Sequence, residues 1–137
     1  MFEPVDRLAM YLHLARASEA RQRLHVRDRL LLIAAVLAAR NDLPRIAAYC
    51  RQRILTHNPH HLIKRWDSVF NAAGDPEFTH FLRHIERRYP PEKAEGMMES
   101  LGLELGHERD TYYSAEEYAA ALLCVSQDEL EEMFGSA

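Results

Sequence analysis

Between Arg29 and Arg40 the chain reads LLLIAAVLAA, ten consecutive apolar residues from Leu30 to Ala39. No polar face is left for water, so a helix made of this stretch must be covered on every side. Its length of roughly 15 Å is about half of a bilayer span. The stretch therefore points to a small helical domain in which one central helix is wrapped by its neighbours. At 137 residues such a domain can bury roughly two thirds of its unfolded surface. The five Gly and six Pro stand mostly where helices would start or stop, which is the punctuation of an all-α protein. The leading MFEPVDRLAM carries Glu3 and Asp6 and has no basic region followed by an apolar run, so a cytoplasmic protein without a membrane partner is expected.

The spacing predicts a first helix from about Pro4 to Arg23 with Val5, Leu8, Leu12 and Ala15 as its apolar stripe. Its boundary near Leu24–Val26 is marked by neither Gly nor Pro. Asn41–Asp42 ends the central helix, and Asp42 is placed to cap the next, whose inward face is Leu43, Ile46, Ala47, Cys50 and Ile54. After Asn58–Pro59, the residues Leu62, Ile63, Trp66, Val69, Phe70 and Ala73 recur at helical spacing and predict one continuous helix closed at Gly74. Asp75–Pro76 opens another, with Phe78, Phe81, Leu82, Ile85 and Tyr89 inward. Pro90–Pro91 introduces a shorter one, carrying Ala94, Met97, Met98 and Leu101 and stopping at Gly102. Residues 103–113 have no sustained period and predict a loop. Ser114 with Glu117 and Ser126 with Glu129 spell two capping boxes, with Tyr113–Tyr118 and Val125–Leu130 as hydrophobic staples. Cys50 and Cys124 lack CxxC partners and are expected as reduced core thiols, a bridge or a reactive thiol being the alternatives.

Net charge of −4 conceals an asymmetry: residues 1–68 hold twelve Lys/Arg against six Asp/Glu, and residues 69–137 five against fifteen. The oppositely charged halves can pair within the fold or between copies as a homo-oligomer, or the basic half can meet an anionic partner. Arg21, Arg23, Arg27 and Arg29, extended by Lys64 and Arg65, are the candidate binding residues. A helix-turn-helix arrangement there is disfavoured, because the helix after the turn is the apolar decamer and cannot lie in a major groove. The C-terminal segment carries Leu130, Met133 and Phe134 on an otherwise acidic helix. Such a helix suits docking in a basic-rimmed groove, and the expectation is that it covers the arginine-rich N-terminal half.

Asn41–Asp42 and Gly74–Asp75 stand 33 residues apart, and each pair is followed by a proline, Pro59 and Pro90. Over about residues 30–91 this resembles the tetratricopeptide repeat, a helix-turn-helix unit of about 34 residues. Phe70 falls at the family's aromatic position in the first helix and Gly74–Asp75 in its turn, whereas Asp67, Leu37 and Asn41 depart from the pattern. The resemblance implies a scaffold whose concave face binds a peptide or protein. It also implies that Lys64 occupies a carboxylate-holding position, for which the first unit offers only Leu31.

Of the eight His, His80 and His84 are four apart on one helical face, with Glu77 on the same side, a candidate metal set. His57, His60 and His61 cluster beside the Asn58–Pro59 turn. Neither group is HExxH, and no GxSxG turn, phosphate-cradling Gly-rich loop or paired Cys set occurs. The expected fold is all-α with six to eight helices, partly stacked antiparallel hairpins, either tetratricopeptide-like or a looser bundle. Residues 1–125 form the domain, and 126–137 a short acidic helix or tail. The expected function is a protein-interaction or assembly module without a cofactor. Nucleic-acid or other polyanion binding through the basic half is the alternative, and a small metal-dependent enzyme a more remote one.

Overall fold

The computed structural model describes residues 4–103 and 111–135, and these form eight α-helices and one 3-10 turn with no strand. In order they are α1 Pro4–Ala20, α2 Leu24–Arg40, α3 Pro44–His57, the 3-10 turn Leu62–Arg65, α4 Val69–Ala73, α5 Pro76–Arg88, α6 Pro91–Ser100, α7 Ala115–Leu122 and α8 Gln127–Phe134. None of them is long and apolar enough to cross a membrane.

The apolar decamer lies within α2 and sits at the centre, with α1, α3, α4 and α5 packed around it. Leu30 through Val36 and Ala38 are buried, and Leu37 and Ala39 are partly so. Each fully buried Leu, Ile or Val side chain here contributes about 1.5–3 kcal/mol. Helix α1 is wrapped more completely than its four-residue stripe foretold. Leu8 to Leu12 are buried in succession, as are Leu14 and Ala15, because α6 and α7 also pack on this helix. Tyr11 survives there by donating its hydroxyl to the Tyr89 carbonyl at 2.6 Å, and burial, followed by the nearby Glu86 charge, pushes its pKa up to about 12.

Four helices end by one device. A residue in the left-handed region (Gln22, Asp42, Gly102 or Cys124) reverses the chain, and the next amide reaches back to a carbonyl five residues earlier. The bonds are Arg23 to Ser18 at 2.8 Å, Leu43 to Ala38 at 2.9 Å, Leu103 to Met98 at 2.9 Å and Val125 to Ala120 at 3.0 Å. This is the Schellman closure, which satisfies carbonyls that a helix end otherwise leaves unpaired. Three of the four use a non-glycine residue at positive φ. Asp42 is one of them, which corrects its expected role: it is not the N-cap of α3, a place taken by Leu43 without a side-chain bond.

The expected single helix from Leu62 to Ala73 is two pieces. Trp66 is extended (φ −113°, ψ 145°), and Ser68 then caps α4 by accepting from the Asn71 amide at 3.0 Å. The Trp66 indole N–H donates to Asp75 at 3.0 Å and its ring meets Phe78 edge-on at 5.3 Å, partners that an unbroken helix would not supply. Phe70, assigned to the buried stripe, is instead 75% exposed. At the C-terminal end Ser114 and Ser126 both cap as expected, and Ser126–Glu129 is a complete capping box. The expected Tyr113–Tyr118 staple is replaced by Tyr112, whose ring lies 5.4 Å from Tyr118 while Tyr113 is fully exposed. Of the expected loop 103–113, residues 104–110 lie outside the described residues. Both cysteines are free. Cys50 is buried, with its thiol pushed up to about 12 by desolvation, whereas Cys124 is exposed at its turn and is not the core thiol expected.

Candidate functional site

Breaking the helix at Trp66 has a consequence on the surface. The corner 67–70 turns outward beside α3, and α8 is laid along the other side of the same helix. Arg51 ties the corner down by donating Nη2 to the Trp66 carbonyl at 2.9 Å. Arg45 holds the C-terminal side by donating to both oxygens of Glu116 (3.0 and 2.5 Å) and to the Gly135 carbonyl at 3.0 Å, with Glu131 3.9 Å away. Leu130, fully buried, fixes α8 from beneath.

Between these walls runs an open groove of about 720 Å³ whose floor is the outer face of α3, including Ala47, Ala48 and Leu55. Phe70 stands on one rim and Met133 and Phe134 on the other. Among the described residues the large hydrophobic side chains most exposed to solvent are Phe70, Tyr113 and Met133, and two of these three border this one groove. Scattered apolar residues on a surface are ordinary; a shared concave apolar surface is not. Asp42 and Asp67 also line it, are exposed, and have no ion-pair partner among the described residues.

The candidate basic residues do not form one patch. Arg21 and Arg23 flank the α1–α2 turn, are exposed, and share a cavity with Lys93 of α6. Arg27 is turned inward, only 7% exposed, and is taken up by the fold. It donates to Glu19 at 2.5 Å and to Asp28 at 3.0 Å, and Arg53 of α3 also donates to Glu19. His57 Nδ1–H donates to the other Asp28 oxygen at 2.5 Å. Arg29 is half-buried and lines a different cavity. Lys64 and Arg65 lie on the 3-10 turn, exposed, with Arg65 donating to both oxygens of Glu77 at 2.5 and 2.9 Å. Opposite-charge pairing between the two halves of the chain therefore occurs within the fold, through Arg45–Glu116 and Arg65–Glu77.

His80 and His84 do meet, Nε2 to Nε2 at 3.3 Å on an exposed face. Glu77 is committed to Arg65. Among the described residues no group of three or more His, Cys, Asp or Glu is arranged to hold a metal ion. The acidic C-terminal helix docks, but on α3 and α7 through Arg45 rather than over the Arg21–Arg29 stretch. Sequence reasoning missed the groove because its best marker, Phe70, fits a helical period as well as any core residue. Met133 and Phe134 on an acidic helix were the one available signal.

The buried charge cluster has a pH signature. Burial raises the Glu19 pKa, but hydrogen bonds from Arg27 and Arg53 outweigh this and hold the carboxyl below its usual 4.5. A carboxyl with a lowered folded pKa contributes stability that is present above its unfolded value and is lost as pH falls through the folded one. Chemical unfolding followed from pH 6 down to pH 3 (roughly the carboxylate range) is expected to show a steeper loss for the wild type than for Glu19→Gln. Parallel curves would remove Glu19 from the cluster's energetics.

Comparison with protein-family models, with curated proteins and with solved structures finds no match to this chain.

Proposed function

We propose that this chain is a protein-interaction module whose groove between α3, α4 and α8 takes one amphipathic helix of a partner protein. The observation that carries the reading is the convergence of Phe70, Met133 and Phe134 on the rims of one concave apolar surface. A helix seats its apolar face in such a groove through residues spaced i, i+4 and i+7, and a few buried anchors supply most of the affinity. Asp42 and Asp67 outnumber Arg51, the groove's one lining cation, which is held on the Trp66 carbonyl, so the occupant carries Lys or Arg flanking its apolar stripe, which aligns the register and speeds encounter. This is the assembly role expected from the sequence, moved from a repeat-like concave face to a groove completed by the C-terminal helix. The polyanion alternative is weakened by the loss of Arg27 and Arg65 to ion pairs with the protein's own carboxylates.

The test uses an amphipathic peptide of about 14 residues, four helical turns, with leucines at i, i+4 and i+7 and lysines at both ends. Its binding is read by the fluorescence of Trp66, the single tryptophan, whose carbonyl anchors the groove corner. Phe70→Asp is expected to weaken binding at least tenfold, about the effect of losing one anchor. Because Phe70 is exposed, its own stability should change by no more than about 0.5 kcal/mol. Absence of saturable binding, or equal binding by Phe70→Asp, would overturn the reading. So would a concentration-dependent dimer abolished by the same substitution, since a second copy would then be the occupant.

A further inference from the structure

A second concavity lies away from the groove, where the start of α2, the connection between α3 and the 3-10 turn, and the C-terminal half of α5 come together. It measures about 330 Å³ and is lined by Arg29, Arg88, His25, His61, His84 and Asp28. We propose that this cavity binds the phosphate group of a small phosphomonoester.

Arg27, Arg45, Arg53 and Arg65 each have a carboxylate partner, whereas none is found for Arg29 or Arg88 among the described residues. The one acid in the cavity is already occupied: Arg27 donates to Asp28 Oδ1 and His57 to Oδ2. Glu19, Asp28, Arg27 and Arg53 balance one another, so the two cavity guanidiniums remain as uncompensated positive charge facing a small space. Guanidinium forks match phosphate oxygens two at a time, which a lone carboxylate ligand would use less fully.

Hydrogen-bond chemistry agrees. His61 Nδ1 accepts from the Ile63 amide at 3.0 Å, so the ring proton resides on Nε2 and makes this imidazole a donor. Desolvation, only partly opposed by the Asp28 charge, lowers its pKa, so it donates as a neutral ring. Phe81 stands edge-on to His61 at 5.8 Å and, with Ile85, gives the cavity one apolar wall. A phosphate with a compact organic body suits a space of this size.

Titration calorimetry at constant ionic strength tests this on the full chain, with inorganic phosphate, phenyl phosphate and dimethyl phosphate as probes. Phosphate and phenyl phosphate are expected to bind saturably, the latter more tightly because its ring meets Phe81. Dimethyl phosphate, a diester with one charge, is expected to bind at least tenfold more weakly (roughly the loss of one charge-assisted bond). Arg29→Gln and Arg88→Gln should each weaken phosphate binding about tenfold or more. Arg83→Gln, exposed on the same helix and outside the cavity, should leave it unchanged. Arg88 is exposed, so its variant keeps the fold and decides the matter even if Arg29→Gln is less stable. Lack of saturable phosphate binding, a smaller loss in Arg88→Gln, an equal loss in Arg83→Gln, or a diester bound as well as phosphate would each overturn the proposal.

Discussion

Asp28→Ala is expected to destabilise the protein by about 3–5 kcal/mol, with a fall in Tm of roughly 10 °C or more. The side chain is only 8% exposed and joins two neighbours. Its removal leaves the equally buried Arg27 with Glu19 alone, and leaves the His57 Nδ1–H without an acceptor. Deleting one partner of a buried pair costs more than the pair contributes, because the survivor keeps its desolvation penalty without compensation. Adding Arg27→Leu to Asp28→Ala should therefore restore part of the loss, a coupling that a double-mutant cycle by urea unfolding measures directly. Strict additivity of the two changes would mean that the pair acts independently and that α1, α2 and α3 are not joined through this cluster.

Phe78→Ala should cost a comparable amount, about 3–5 kcal/mol. Among the described residues Phe78 is the largest side chain with no exposed surface, and it forms the edge-on partner of Trp66. Truncation opens a cavity beneath the indole, so the same variant should shift Trp66 emission in the folded state. Phe70→Ala is the internal control. It removes the same group eight residues earlier, from a position 75% exposed, and is expected to change stability by no more than about 0.5 kcal/mol. Similar losses at the two positions would contradict the break at Trp66, because a helix continuous through Trp66 would bury Phe70 as α5 buries Phe78.

That contrast marks where reading the chain alone stops. Periodicity reports which residues suit a buried helical face, and Phe70 and Phe78 suit it equally. Only the extended Trp66, held by its bonds to Asp75 and from Arg51, sends one ring outward and the other in. The helix ends divide along similar lines. Asp75–Pro76 and Ser126–Glu129 cap as written, since capping is a local transaction between a side chain and an amide two or three residues on. The closures at Gln22 and Cys124 carry no such signature, and at Asn41–Asp42 the stop is legible but the positive φ of Asp42 is not. A non-glycine residue in the left-handed region costs about 1–2 kcal/mol, and here the packing of the following helix holds it in place. Arg27 shows the limit for charge: nothing in its neighbourhood of the chain distinguishes it from Arg23 or Arg29, yet Glu19 and Asp28 draw it inside.

An all-helical domain built around Leu30–Ala39 follows from residue order, because ten apolar residues in a row must be covered on every side and the segments that flank them carry helical spacing. The starts of α5, α7 and α8 follow as well, from short-range hydrogen bonding to Asp75, Ser114 and Ser126. The groove beside α3, the inward turn of Arg27 and the placement of Arg29 and Arg88 on one cavity were settled by three-dimensional packing. Each joins residues from separate helices, and their adjacency depends on the angle at which those helices cross, a quantity no single helix encodes.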